Sequence, residues 1–270
     1  MKISFLGGGN MTTALIGGLL RQNVSATSIT VIEMLAEQRT KLTREFGVIC
    51  VDEANDDALD CDVLVLAVKP QQMREAITPL RNRLKRQLLL SIAAGIRLPD
   101  LTRWLGGYTN LVRAMPNTPA LIGAGVTALY AHPAVDAGQR TVAEKILAAA
   151  GSTLWLDKES LLDAVTAVSG SGPAYVFYFI EALQAAALEL GLMPEQARQL
   201  SLETFLGAAQ LAMQSKDGVA VLRERVTSKG GTTERALQSL ETDQVKAALI
   251  RAVKTAAARS RELGDALGEN

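Results

Sequence analysis

The sequence predicts two halves of different class: an α/β domain over residues 1–157, built on a mostly parallel sheet, and an all-helical domain over residues 158–270. Three observations lead there. Short apolar runs alternate with helix-patterned stretches from Lys2 to Leu156, as in strands joined by crossover helices. The run from Asp62 to Val68 is almost continuously apolar, as are strands buried on both faces of a parallel sheet. After Asp157 strand-like runs vanish, and alanine- and leucine-rich segments with helical spacing replace them.

The first strand, Lys2 to Leu6, stops at Gly7-Gly8-Gly9-Asn10-Met11-Thr12 before a helical pattern through Leu15, Ile16, Leu19 and Leu20. Gly7 permits the tight turn and Gly9 lets backbone approach a ligand. The following helix offers free N–H groups and a positive dipole end to a pyrophosphate. Thr12 stands where glycine or alanine is usual in such a turn. A bound dinucleotide is the favoured reading, over a strand that simply reverses tightly into a helix. The second strand is Ile29 to Glu33, and the helix Ala36 to Phe46 ends at Gly47, a natural C-cap. Glu33 lies about 20 residues beyond the glycines, where an acid accepts hydrogen bonds from the adenosine ribose hydroxyls and repels a 2′-phosphate. On that reading NADH is favoured slightly over NADPH. The other reading is a solvated strand-end charge, and Arg39, one helical turn on, is within reach of a 2′-phosphate.

In open parallel sheets ligands lie beyond the carboxyl ends of the strands. Ala67, Val68, Lys69 and Pro70, which end the Asp62–Val68 strand, therefore fall at the ribose or nicotinamide, with Lys69 read as a backbone contact in preference to a catalytic acid. A helix from Gln71 to Leu84 and a strand from Leu88 to Ile92 follow, and Ala93, Ala94 and Gly95 make a small-residue turn on the same edge. The strand Leu111 to Ala114 runs into Met115-Pro116-Asn117-Thr118-Pro119, stiffened by two prolines. Asn117 there is a candidate cofactor contact, and a plain rigid turn is the alternative. The strand Gly125 to Tyr130, a helix from Asp136 to Ala149 and the strand Thr153 to Leu156 complete the alternating half.

Helices are predicted over Leu161–Val168, Ala174–Leu190, Glu195–Met213 and Val245–Leu263. Ser169-Gly170-Ser171-Gly172-Pro173 precedes the second of these, with Ser171 or Gly172 suited to the cap and Pro173 to the first turn. Ser228-Lys229-Gly230-Gly231-Thr232-Thr233 precedes another helix, Glu234 to Leu240. Each stretch serves either as a cap or, with its hydroxyls, its backbone donors and Lys229, as a pocket for a small carboxylate. The second lacks the spacing of a Walker loop.

With 28 basic and 28 acidic residues the formal net charge is zero, so no electrostatic footprint for nucleic acid or an anionic membrane is present. His132 is the single histidine, which excludes a multi-histidine metal site and argues against a Ser-His-Asp triad. Cys50 and Cys61 form no metal-ligand spacing. They fit a reduced cytoplasmic compartment. The N-terminal apolar run is too short for a signal peptide, and no run spans a membrane.

In order along the chain stand FLGGGNM, AVKP, SIAAG, RAMPNTP, SGSGPAY and VTSKGGTTERAL. This ordered set closely resembles pyrroline-5-carboxylate reductase over nearly the full length. The resemblance implies a Rossmann-like N-terminal domain, an all-α C-terminal dimerisation domain, further assembly into decamers, and reduction of 1-pyrroline-5-carboxylate to L-proline with NADPH or NADH. It implies that Gly7, Gly8, Gly9, Asn10 and Met11, Ala67 to Pro70 and Ala93 to Gly95 hold the cofactor, with Asn55 on a ribose. It also implies that Gly230 to Thr233 bind the substrate carboxylate, that Thr166 and Ser169 to Gly172 lie beside the ring, and that Glu159 lines the substrate pocket. Lys229 departs from the family, where a proline commonly precedes the paired glycines. The loop is then less rigid and more positive.

A protonated cyclic imine is already electrophilic at the carbon that receives hydride, so no dedicated general base is required. Thr166 or water completes the proton balance. Two rivals remain: a β-hydroxyacid dehydrogenase, whose helical-domain lysine has no counterpart after Ser169, and a non-catalytic nucleotide-binding dimer that senses redox state. Cofactor oxidation dependent on the imine separates all three.

Overall fold

The computed structural model describes residues 1–269. The alternating half folds as eight strands: β1 (Ile3–Leu6), β2 (Ile29–Ile32), β3 (Ile49–Val51), β4 (Val63–Leu66), β5 (Leu88–Ser91), β6 (Leu111–Met115), β7 (Gly125–Ala131) and β8 (Gly151–Trp155). They form one sheet in the order β3-β2-β1-β4-β5-β6-β7-β8, parallel except where β7 meets β6. The first three strands build outward on one side of β1 and β4 returns on the other. The chain therefore reverses its direction of growth between β1 and β4, which opens a crevice at their carboxyl ends.

The helices interleaved with these strands are α1 (Asn10–Arg21), α2 (Ala36–Phe46), α3 (Asp56–Leu59), α4 (Met73–Ile77), α5 (Leu98–Trp104) and α6 (Ala137–Leu147). Alternate strand residues pack on opposite faces, as the two-residue period requires. Ile3, Phe5, Val31, Val63 and Val65 join a core under α1, α2 and α6. Leu6, Ile32, Leu64, Leu66 and Leu89 join a second core under α3, α4 and α5. Both faces of the central strands are dry, which is why they read as unbroken apolar runs.

The remaining helices are α7 (Leu161–Val165), α8 (Gly172–Glu189), α9 (Pro194–Gln214), α10 (Val219–Arg225), α11 (Thr232–Thr242) and α12 (Val245–Gly268). Two compact units result, one of Met1–Ser171 with Ala256–Asn270, the other of Gly172–Thr255. Strands end at Trp155, but α7 packs on β6 and β7 and so belongs with the sheet. In the second unit α8 has no buried residue, and Val176, Phe177 and Leu183 on it are exposed, as are Leu206 and Leu211 on α9. Apolar helices with so little core of their own present their surface to a partner. Among the described residues no helix is long and apolar enough to cross a membrane.

Several elements differ from the sequence expectation. The helix expected from Gln71 to Leu84 is interrupted: α4 covers Met73–Ile77, flanked by 3-10 turns at Pro70–Gln72 and Thr78–Leu80, because Pro79 supplies no N–H to continue it. Strand β3 and helices α3, α5 and α10 are additions, all short. Residues 166–170, expected to leave a helix and enter a loop, form a π-helical turn instead, with the Ser171 N–H donating to the Thr166 carbonyl at 2.8 Å. Capping donors are therefore not left open there. The chain runs in nearly unbroken helical conformation from α7 into α8.

Candidate active site

The carboxyl edge of the sheet gathers the first group of candidates. Register aligns Leu6 with Ile32 and with Leu66, and Leu66 with Ser91. Gly7, Glu33, Ala67 and Ile92 therefore each stand one residue past the edge. Gly7 adopts φ +103°, and a Cβ on it would lie 2.8 Å from the Ala67 carbonyl oxygen, so the turn and the end of β4 meet only through glycine. At Gly9 an added Cβ would meet nothing within 4 Å. Gly9 also precedes α1 without any side-chain cap, leaving the first N–H groups of the helix open to an anion. These features fit the pyrophosphate of a dinucleotide.

Thr12 occupies the third position of the turn at no packing cost. Its side chain is fully buried, and its hydroxyl donates to the Gly7 carbonyl at 2.7 Å. Glu33 is engaged more closely than a ribose acceptor needs to be. Its Oε2 accepts from the Gly8 N–H at 2.8 Å and its Oε1 from the Leu35 N–H at 2.9 Å. Gln38 donates to the Gly8 carbonyl at 2.5 Å, so both ends of the Gly8 residue are held by side chains. Arg39 Nη1 donates to the carbonyls of Glu33 at 2.7 Å and Met34 at 2.8 Å. Its guanidinium is thus anchored at the end of β2, beside the acid.

Other expected cofactor contacts have structural partners. Asn55 caps α3, accepting from the Ala58 N–H at 2.9 Å. Asn117 accepts from the Val126 N–H at 2.9 Å, tying the proline-rich loop to β7. Each amide keeps its NH2 donors for a ligand. Lys69 is exposed beyond β4, and Ala93 to Gly95 follow β5 with Gly95 at φ +81°. The Cys61 thiol, away from this edge, is pushed up in pKa by burial and stays protonated.

Next to the edge, α7 and the π turn carry the second group. Thr166 donates its hydroxyl to the Leu162 carbonyl at 2.8 Å, and Ser169 donates to that of Val165 at 3.1 Å. Toward a ligand these hydroxyls present lone pairs, since their protons are engaged in the helix. Gly170 abuts the tip of Met115 at the end of β6: a Cβ there would lie 2.6 Å from Met115 Cε. Two distant sequence stretches are joined by that contact.

Glu159 is held by the sheet. Its Oε1 accepts from Arg113 Nη1 at 3.0 Å and from the Leu98 N–H at 2.8 Å, linking β6, the start of α5 and the approach to α7. The Arg113 side chain is 5% exposed and that of Glu159 19%. Cutting back one member of such a pair strands the other charge in poor solvent. Arg113→Ala is therefore expected to destabilise the chain by about 3 kcal/mol, read from the shift in denaturant midpoint. Arg113 escaped the sequence reading although a charge inside an apolar strand run signals a partner. Gln38 gave no signal, since its role exists only once α2 lies against the glycine turn.

Within the second unit lies the loop before α11. Ser228 to Gly231 form a turn in which the Gly231 N–H donates to the Ser228 carbonyl at 3.0 Å. Gly230 adopts φ +73°, and a Cβ on Gly231 would lie 2.4 Å from Ser228 Oγ. Gly231 precedes α11 with no side-chain cap, so the first N–H groups of that helix are offered outward. Glu234 accepts from the Gly230 N–H at 2.8 Å and stabilises the turn from within the helix. Lys229 is exposed on it. The arrangement suits a carboxylate: the Gly230 and Gly231 N–H groups close the turn, and the uncapped N–H groups of Thr232 and Thr233 stand beside the exposed Lys229.

Comparison with known proteins places these features in context. Residues 159–263 match the family model described as pyrroline-5-carboxylate reductase dimerisation, and residues 2–95 match that described as NADP oxidoreductase coenzyme F420-dependent. A pyrroline-5-carboxylate reductase of Pseudomonas aeruginosa is 47% identical over 99% of this chain and 98% of its own. One of Arabidopsis thaliana is 36% identical over 97% and 95%. The solved pyrroline-5-carboxylate reductase of Coxiella burnetii superposes with a TM-score of 0.91 at 39% identity, covering 97% of this chain and 98% of that one. The Plasmodium falciparum pyrroline carboxylate reductase with NADP bound gives 0.88 at 29% identity, covering 98% of each.

Proposed function

Because the chain belongs to the pyrroline-5-carboxylate reductase family, we infer from its residues how it reduces 1-pyrroline-5-carboxylate to L-proline, the last step of proline biosynthesis. The observation that carries the activity is the full-length similarity to reductases of that name. NADH or NADPH supplies the hydride when bound. The chain's own contribution is to seat that cofactor and to hold a flat imino acid against it.

Cofactor seating is assigned to the sheet edge. The open Gly9 position and the uncapped start of α1 favour a pyrophosphate over Gly7 to Met11. Ala67 to Pro70, Ala93 to Gly95 and the NH2 groups of Asn55 and Asn117 take the ribose and nicotinamide side. Glu33 sits at the adenosine ribose. On this reading residues 1–157 bind the nucleotide and 158–270 serve substrate binding and dimerisation, with α7 and the end of α12 doing so from the unit that holds the sheet.

Substrate grip is assigned to Ser228, Lys229, Gly230, Gly231, Thr232 and Thr233. The uncapped N–H groups at the start of α11, with the hydroxyls and Lys229, hold the carboxylate on the turn that Gly230 and Gly231 close, and leave the imine carbon free. Thr166 and Ser169 to Gly172 lie beside the ring, with the Thr166 oxygen accepting from the iminium N–H, because its own proton is directed to Leu162. Hydride then reaches the imine carbon while the nitrogen retains its proton and becomes the secondary amine of proline. The proton on the iminium comes from water when the neutral imine is protonated, and a second proton from water gives the ammonium form of proline. Glu159 acts through Leu98 and Arg113.

The chain self-associates through its helical domain, as the dimerisation model matching residues 159–263 and the exposed apolar faces of α8 and α9 support. Decamers and a cytoplasmic site of action complete the proposal. Purified protein is expected to oxidise NADH and NADPH only when pyrroline-5-carboxylate is added, forming proline in equal amount. Cofactor binding without imine-dependent oxidation would transfer the assignment to a redox sensor. Light scattering is expected to give an even multiple of the chain mass.

A further inference from the structure

The end of α12 returns to the first unit, and its contacts there fall on one face. Ser260, Gly264 and Gly268 recur every four residues, which stacks them along one side of a helix. Ser260 donates to Asp163 on α7 at 2.7 Å, with both residues buried. A Cβ on Gly264 would lie 3.0 Å from Arg97 Nη2 and 3.1 Å from the Gly95 carbonyl oxygen. One on Gly268 would lie 2.7 Å from Asp100 Oδ2. Flanking this face, Arg97 Nη1 pairs with Asp265 at 2.6 Å and its Nη2 donates to the Arg261 carbonyl at 3.2 Å. Arg103 reaches the Gly268 carbonyl.

What these residues touch gives the arrangement its meaning. Asp163 lies three residues before Thr166, and Gly95 ends the small-residue turn after β5. The start of α7 and the start of α5 are already tied by Glu159 and the Leu98 N–H. We propose that the last turns of α12 are a positioning clip. They fix the spacing between the Ala93–Gly95 turn and α7, which runs into the π turn that starts at Thr166, with Arg97, Gly264 and Asp265 as its positioning residues. The clip rests on the reading above that places the cofactor at Ala93 to Gly95 and the substrate ring beside Thr166.

Hydride transfer is steep in distance, and a misplacement of about 1 Å can cost a hundredfold in rate. Ordinary packing of α12 would affect stability alone, whereas a clip also affects kcat. The test uses full-length Gly264→Leu and Asp265→Asn. For each it measures kcat, imine KM, cofactor affinity by fluorescence quenching, melting temperature, and the isotope effect with cofactor deuterated at the transferred position. Gly264→Leu is expected to lower kcat roughly tenfold and raise the isotope effect on kcat, with cofactor affinity within about twofold. Asp265→Asn shifts kcat less, in the same sense, and Asp265→Glu restores it.

Wild-type kcat in folded Asp265→Asn and Gly264→Leu overturns the clip, whatever happens to the melting temperature. Should Gly264→Leu fail to fold, Asp265→Asn decides alone, since that carboxylate is 61% exposed. Ala94→Leu separates the premise from the clip. Weakened cofactor binding in that variant supports the placement at the turn, and unchanged binding removes the placement and the clip with it.

Discussion

Gly231→Ala is expected to raise the KM for pyrroline-5-carboxylate by about 10- to 100-fold while leaving cofactor binding as in the wild type. The new Cβ would stand 2.4 Å from Ser228 Oγ and 3.1 Å from the Ser228 carbonyl, which accepts the hydrogen bond that closes the turn. Rotation of the serine relieves the first contact but not the second, which is with backbone. The backbone must give by a few tenths of an ångström, and the N–H groups at the start of α11 shift with it. A hydrogen bond to a charged carboxylate contributes about 1.5–3 kcal/mol, and each 1.4 kcal/mol is about tenfold in affinity. Gly230→Ala reaches a similar loss by another route, since φ +73° is strained for alanine by about 1–2 kcal/mol. Titrations with imine and with cofactor on each variant provide the check. Parallel weakening of both ligands would point to global damage and away from a carboxylate loop.

Legibility in the sequence followed the range over which each signal acts. The strand–glycine–helix opening was readable because Gly7, the apolar run before it and the helical period after it lie within twenty residues. Helix α2 was read to its ends, since Gly47 at φ +68° is a left-handed cap that the sequence marks. Short elements were not readable. Strand β3 has three residues, and its strand character comes from pairing with β2 over Thr30 to Ile32. Pro79 falls inside the helix expected over 71–84 and breaks it into a short helix and a 3-10 turn. At 169–172 the small residues suggested a loop, while the folded chain satisfies their backbone through i-to-i+5 bonding next to Met115, a contact no local pattern encodes.

The same limit applies to Arg113 and Glu159, 46 residues apart and joined only across the sheet. The resemblance implies a place for Glu159 in the substrate pocket; what no sequence pattern marks is that its Oε1 holds the first residue of α5. In the helical half, the apolar residues of α8 and α9 fit an internal core or a partner equally well by composition. Exposure of Phe177, Tyr178 and Leu206 favours the partner.

Glu33→Ser is expected to weaken NADH binding by about 10- to 100-fold and NADPH binding by less, which moves selectivity toward NADPH. Two effects act in opposite directions on the second cofactor. Removing the carboxylate deletes the bonds to Gly8 and Leu35, and two charge-assisted hydrogen bonds of about 1.5–3 kcal/mol each hold that turn. On the proposed placement it also deletes a negative charge that would face a 2′-phosphate, and it leaves Arg39 anchored on the carbonyls of residue 33 and Met34. For NADH only losses are expected, because on the proposed placement the ribose hydroxyls lose their acceptor as well. For NADPH the relief of repulsion offsets part of the loosened turn. Glu33→Gln separates the two contributions: it removes the charge while its amide oxygen still accepts from Gly8, so NADPH should bind better than in Glu33→Ser. If Glu33→Ser left both affinities unchanged, the acid would be a solvated strand-end charge after all, and the Gly8 contact would play no part in seating the dinucleotide.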